Sequence, residues 1–152
     1  RPSNVDDAPV LRRLLTELAE ISRETPLVFP VHPRTRARVS DAGLDTLLDD
    51  ASILLLPPQG YLEMLGLMRD ARMVLTDSGG IQEETTALGV PCITLRESTE
   101  RPITVTQGTN TIVGTDATRP LSPISGAWTG IRHRCACRRT SNESWTFLPS
   151  TT

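Results

Sequence analysis

Apolar positions along the first 116 residues alternate between two periods. Val10, Leu11, Leu14, Leu15, Leu18 and Ile21 share one helical face, with Arg12, Arg13, Glu17 and Glu20 opposite. The preceding Asn4-Val5-Asp6-Asp7 supplies N-cap candidates, and Pro9 sits in the first turn, where its missing N–H costs nothing. Leu27-Val28-Phe29-Pro30-Val31 has the length of a strand, although Pro30 removes one ladder donor. A short helix is predicted over residues 34–39, ended at Gly43, and a second buried strand at residues 53–56, stopped by Pro57-Pro58. Residues 61–71 predict a helix apolar over most of its circumference, hence buried on more than one side. A third strand at residues 73–76 leads into the tight loop Asp77-Ser78-Gly79-Gly80. The helix over residues 81–88 that follows is closed by Gly89, with Pro91 just beyond. Residues 92–95 and 111–113 predict strands four and five. Apolar strands separated by helices predict an α/β fold, a Rossmann-like parallel sheet with helices on both faces.

The composition adds a division that the pattern alone leaves implicit. The 152 residues, 38% apolar and 22% charged with net charge -2, suffice for one core and exclude a disordered acidic tail or a strongly basic nucleic-acid arm. No run of 18 apolar residues occurs, so no membrane span is expected. Residues 1–116 carry 17 acidic and 11 basic residues, whereas residues 117–152 carry five Arg against one Glu and hold both Trp. The expected organisation is an α/β body over 1–116 and an aperiodic basic tail over 117–152, disordered or translated from a shifted frame. Because the chain starts at Arg1 beside a helix-entry signal, it reads as part of a longer protein. All 16 basic residues are Arg, so an anion must be met by a guanidinium or by backbone.

Candidate chemistry gathers where ligands bind in open α/β sheets, beyond the carboxyl ends of the strands. In Thr76-Asp77-Ser78-Gly79-Gly80-Ile81-Gln82-Glu83-Glu84, two glycines let backbone N–H groups approach an anion, and the next helix offers its unpaired donors to the same point. Ser78 adds a hydroxyl, and Glu84 lies about one turn along, within reach of ribose hydroxyls. A bare Gly-Gly pair taken alone better suits a turn that only joins strand to helix. Leu95-Arg96-Glu97-Ser98-Thr99-Glu100-Arg101-Pro102 opens on the same edge, where Arg96 and Arg101 can clamp phosphate oxygens and Glu97 and Glu100 can orient those guanidinium groups or bind hydroxyls, although the segment alone equally suits a solvated, charge-balanced loop. His32 follows the first strand. Asp-Ser-Gly-Gly also surrounds the nucleophile of trypsin-like proteases, but those are all-β. The Gly-x-Gly-x-x-Gly fingerprint is absent, which argues against a nicotinamide dehydrogenase. His133, Cys135 and Cys137 lack a second ligand pair, so no metal is expected.

Together, Pro57-Pro58-Gln59-Gly60-Tyr61-Leu62, residues 75–84, Gly89-Val90-Pro91, residues 96–102 and Gly108-Thr109-Asn110 resemble the C-terminal half of the non-hydrolysing UDP-N-acetylglucosamine 2-epimerases. Arg1-Pro2-Ser3-Asn4-Val5-Asp6 resembles the segment just after that family's interdomain His. The resemblance implies a two-domain fold of the glycosyltransferase-B type with a UDP-sugar in the cleft. It implies that Ser78, Gly79 and Gly80 hold the diphosphate, that Glu84 binds ribose, and that Gln59 and Met64 lie by the uracil. Met64 stands where some members have Phe. Arg101 matches a nucleotide-sugar contact, and Arg1 and His32 match positions that help hold a second, regulatory UDP-sugar in some members.

The reaction so implied interconverts UDP-N-acetylglucosamine and UDP-N-acetylmannosamine by UDP elimination and re-addition, with inversion at C2. The acid/base groups would come from an N-terminal domain that these 152 residues lack, so no catalytic residue is expected in this chain and it is expected not to epimerise alone. No cofactor is implied. The expected partners are the UDP-sugar, the N-terminal domain and, when complete, a second copy in a cytoplasmic homodimer, with no nucleic acid or membrane. Alternatives are a glycosyltransferase of the same fold and a non-catalytic UDP-sugar-binding module.

Overall fold

The computed structural model describes residues 2–49 and 52–114. Chain order is α1 (Pro2–Val5), α2 (Ala8–Ser22), β1 (Leu27–Pro30), α3 (Pro33–Asp41), α4 (Asp45–Leu48), β2 (Ile53–Leu56), α5 (Tyr61–Asp70), β3 (Val74–Thr76), α6 (Gly79–Leu88), β4 (Cys92–Thr94), α7 (Pro102–Thr106) and β5 (Asn110–Ile112). Of the cap candidates Asn4, Asp6 and Asp7, Asp7 does the capping: its backbone is extended and its carboxylate accepts the Val10 N–H at 3.1 Å, with Pro9 in the first turn. Leu11, Leu15 and Ala19 then bury one face of α2. Gly43 and Gly89 follow α3 and α6 with φ of 63° and 70°, a left-handed conformation that glycine adopts without a Cβ penalty.

Every strand pair is parallel, as the alternation predicts. β1 runs beside β2 with Leu27 opposite Ile53 and Pro30 opposite Leu56. β4 lies between β3 and β5, placing Val74, Cys92 and Asn110 in line. The strands form two ladders, β1–β2 and β3–β4–β5, rather than one. Side chains bridge the gap: Ile21 of α2 packs with Leu27 of β1, Leu75 of β3, Leu95 and Val113. A larger cluster of Leu11, Leu15, Val39, Leu44 and Leu48 lies against β1 and β2, and Met68, Val74 and Val90 form a third beside α5 and α6. On the side of β1–β2 away from the large cluster, the cross-strand neighbours Val28 and Leu54 are 49% and 58% exposed.

Three local expectations change. α5 is not buried on more than one side: Met68 alone of its residues is buried, with Met64 and Leu65 packed beside it in the cluster that holds Ile81 and Leu88 of α6, while Tyr61 and Leu62 are exposed. α6 starts at Gly79, not Ile81, so Gly79 and Gly80 are helical residues instead of loop. The short helices α4 and α7 were not anticipated. The basic stretch over 117–152, with His133, Cys135 and Cys137, lies outside the described residues, as does Arg1. No helix among the described residues is long and apolar enough to cross a membrane.

Candidate functional site

Within each ladder the parallel strands send their carboxyl ends to one edge, where the loops after β1 and β2, and those after β3 and β4, open. At the end of β3 the Ser78 N–H donates to the Thr76 hydroxyl at 3.0 Å, turning the chain into α6. Ser78 occupies the N-cap position with extended backbone, yet its side chain makes no capping hydrogen bond. The first amides of any helix lack intrahelical acceptors, so the donors of Gly79 and Gly80 meet the positive end of the α6 dipole at this edge.

Neither glycine is needed for the fold. Both have negative φ. A Cβ on Gly79 would come no nearer than 3.9 Å to another group, the Glu100 carboxylate, and one on Gly80 no nearer than 4.0 Å, the Ser78 hydroxyl. Ordinary van der Waals contact of that kind would accommodate alanine, a better helix former. What a side chain here would occupy is the approach to the amides.

The loop after β4 supplies the cations. Arg96, with only 9% of its side chain exposed, is gripped bidentately by Glu100 at 2.8 and 2.6 Å, which pushes its guanidinium pKa further up. This pair lies over Gly79, so Arg96 is oriented by Glu100 as the sequence suggests. Arg101 is exposed, and its Nε pairs with Glu83 of α6 at 2.9 Å, beside the same helix end. Glu84 is half-buried one turn into α6.

The remaining candidates lie after β1, after β2 and in α5. Gln59, half-buried after β2, donates to its neighbour's Pro57 carbonyl at 2.6 Å. Next to it, Val31, Leu55, Leu56, Pro57, Pro58 and the Arg36 side chain border a cavity of 420 Å³ with mostly apolar walls. Met64 is half-buried and packs against the Met68–Val74–Val90 cluster, so its thioether is engaged with the core. His32 is exposed and caps α3, its Nδ1 accepting the Arg34 N–H at 3.2 Å. Among the described residues there is no group of three His, Cys, Asp or Glu able to hold a metal.

Behind these residues lies a polar interior that the sequence reading missed. Gln82 of α6, 0% exposed, donates from Nε2 to the Ser78 carbonyl at 3.2 Å. Its Oε1 accepts from the Thr99 hydroxyl at 2.6 Å and from Asn110 Nδ2 at 3.1 Å. The Thr94 hydroxyl donates to Asn110 Oδ1 at 2.6 Å. Asn4, taken above as a cap candidate, is instead 5% exposed and donates to Asp77 Oδ2 at 3.0 Å and to the Leu95 carbonyl at 3.1 Å. The available signal was the polarity of α6: Gln82, Thr85 and Thr86 occupy positions where a sheet-covering helix ordinarily carries apolar residues.

A parallel α/β domain with a helix N-terminus and guanidinium groups on its carboxyl edge is a Rossmann-like domain with an edge suited to anions, and its likeness to solved epimerases makes it one of the glycosyltransferase-B type. The chain belongs to the UDP-N-acetylglucosamine 2-epimerase family, whose model matches residues 1–143. It is 40% identical over 136 residues to the UDP-N-acetylglucosamine 2-epimerase of Methanococcus maripaludis, covering 88% of this chain and 37% of that protein. It is 41% identical over 115 residues to the UDP-2,3-diacetamido-2,3-dideoxy-D-glucuronate 2-epimerase of Pseudomonas aeruginosa, covering 75% of this chain and 31% of that one. The crystal structure of the Methanocaldococcus jannaschii UDP-GlcNAc 2-epimerase in complex with UDP-GlcNAc and UDP superposes with a TM-score of 0.78 at 40% identity, over 86% of this chain and 36% of that one. The chain thus spans about a third of the length of the relatives it matches.

Proposed function

We propose that this chain is the UDP-gripping part of an isomerase that inverts C2 of UDP-N-acetylglucosamine. The observation that carries the reading is the α6 N-terminus, where two successive glycines stand without a conformational or packing need for them. Family membership and a relative whose crystal structure holds UDP-GlcNAc and UDP support it. In this reading Ser78, Gly79 and Gly80 take the diphosphate, Glu84 the ribose and Arg101 the nucleotide-sugar. Gln59 and Met64 lie toward the uracil, for which the apolar cavity beside Pro58 offers a wall. Arg1 and His32 belong to a second, regulatory UDP-sugar contact. The complete enzyme is cytoplasmic and homodimeric.

The chemistry follows from what such an edge can stabilise. A base removes the C2 proton while the C1–O bond to UDP breaks, leaving a C1=C2 double bond and UDP as an anion. Protonation of C2 from the opposite face and re-addition of the UDP oxygen at C1 complete the inversion. Fixed helix amides and a guanidinium lower the energy of the departing diphosphate, an effect that reorganising water cannot match. The groups that handle the C2 proton lie outside these residues.

Calorimetric titration of the 152-residue chain with UDP tests the reading. We expect saturable binding that weakens with salt and is lost in Arg101→Ala combined with Gly80→Ala. A chain that takes up no UDP contradicts it.

A further inference from the structure

Ser78 and Arg101 lie on different loops, yet the same buried amide holds both. The Gln82 side chain donates to the Ser78 carbonyl and accepts from the Thr99 hydroxyl. That hydroxyl in turn accepts the Arg101 N–H at 2.9 Å. On the other side of Arg101, its carbonyl accepts from the Thr104 hydroxyl at 2.7 Å, and Thr104 accepts from Asn110 Nδ2, which also donates to Gln82. Each hydroxyl gives one proton and accepts one, and both Asn110 amide protons are used, so the donor directions are mutually consistent. Arg101 is thereby held at its N–H and at its C=O by groups anchored to Gln82.

We propose that Gln82, acting through Thr99 and Asn110, is a positioning residue that fixes the spacing between the Ser78–Gly80 amides and Arg101, so that the edge fits two linked phosphates better than one. The inference rests on the diphosphate reading above and adds the source of its selectivity. A helix N-terminus alone takes any phosphate. Discrimination between one phosphate and two requires a second contact at a fixed distance, and a fully buried, satisfied amide network is the stiffest way to hold one. Gln82, Thr104 and Asn110 are at most 5% exposed and the bonds from Asn110 to Gln82 and Thr104 are buried, so this centre of the network is shielded from water. The Thr99 bridge carries it out to Arg101 at the surface.

The test uses the full chain and the ratio of its UDP to UMP affinities. Thr99→Val removes both bridging bonds at nearly constant volume, and Thr99→Ser keeps them. We expect Thr99→Val to weaken UDP binding about tenfold, the worth of a hydrogen bond lost at the site, with UMP within about twofold. Thr99→Ser should restore the wild-type ratio. In a double-mutant cycle, Thr99→Val should cost nothing further once Arg101 is Ala, because its effect passes through Arg101. If Thr99→Val does not fold, Thr104→Val removes the bond to the Arg101 carbonyl and carries the same expectation. Equal losses for UDP and UMP, an unchanged ratio, or additivity with Arg101→Ala would each overturn the inference while leaving the UDP reading intact. A wild-type chain that binds neither nucleotide overturns both.

Discussion

Gly80 separates the demands of folding from those of binding at a single position. A Cβ there meets only the Ser78 hydroxyl at 4.0 Å, and its backbone is helical. Gly80→Ala should therefore leave thermal stability unchanged or raise it by up to about 1 kcal/mol. The same methyl stands in the path to the α6 amides, and UDP affinity should fall by about tenfold, or about 1.4 kcal/mol. Calorimetry and a melting curve on one variant read both numbers, and a variant that is less stable and binds as well as the parent contradicts the assignment. Cys92 makes the opposite point. It is 1% exposed in β4, and burial raises its thiol pKa, with hydrogen bonds involving Thr85 and Thr94 pulling weakly the other way. A raised acid favours the protonated folded form, so its stabilising contribution is complete below the ordinary thiol range and fades as pH climbs through it. Peptide mapping after iodoacetamide at pH 8 should find Cys92 unmodified in the native chain and modified in urea.

Elements were legible from sequence wherever a period and a stop signal coincided. α2 is the clearest case, with its Leu11–Leu15–Ala19 face, its Asp7 cap and Pro9 in place. Asp7→Ala should lower stability by about 1 kcal/mol, measured by urea denaturation, through the lost bond to the Val10 N–H. Where one signal was missing, the reading failed for identifiable reasons. α7 is built from Pro102-Ile103-Thr104-Val105-Thr106, a β-branched run whose intrinsic preference is extended, and it is held helical by Thr104 reaching the Arg101 carbonyl. In α5, apolar content said nothing of which residues would stay exposed. The strand-to-helix turn at Ser78-Gly79-Gly80 was visible because glycines and a serine directly after an apolar run mark a turn. Its support was not, since Gln82 finds its partners 17 and 28 residues away and a polar letter carries no mark of burial.

At the scale of the molecule, the described residues form two parallel ladders joined by side chains. The chain spans about a third of its relatives, and the proposed reaction needs groups that move a proton at C2. We expect the 152-residue chain, incubated with UDP-N-acetylglucosamine, to produce no manno isomer in an NMR assay; turnover would place the acid and base within these residues. Asn4 carries a different message about the whole. Its amide closes contacts 73 and 91 residues away, onto Asp77 beside the strand-to-helix turn and onto the end of β4. Synthesis runs from the N-terminus, so Asn4 emerges 73 residues ahead of Asp77 and 91 ahead of Leu95, and most of the described residues must follow it before its acceptors exist. Contacts of such long sequence separation form late, after local helices and neighbouring strands have shortened the loop to be closed. The edge that Asn4 closes is therefore among the last parts of the fold to be completed during biosynthesis, and a nascent chain can hold a native β1–β2 ladder well before Asn4 reaches Asp77.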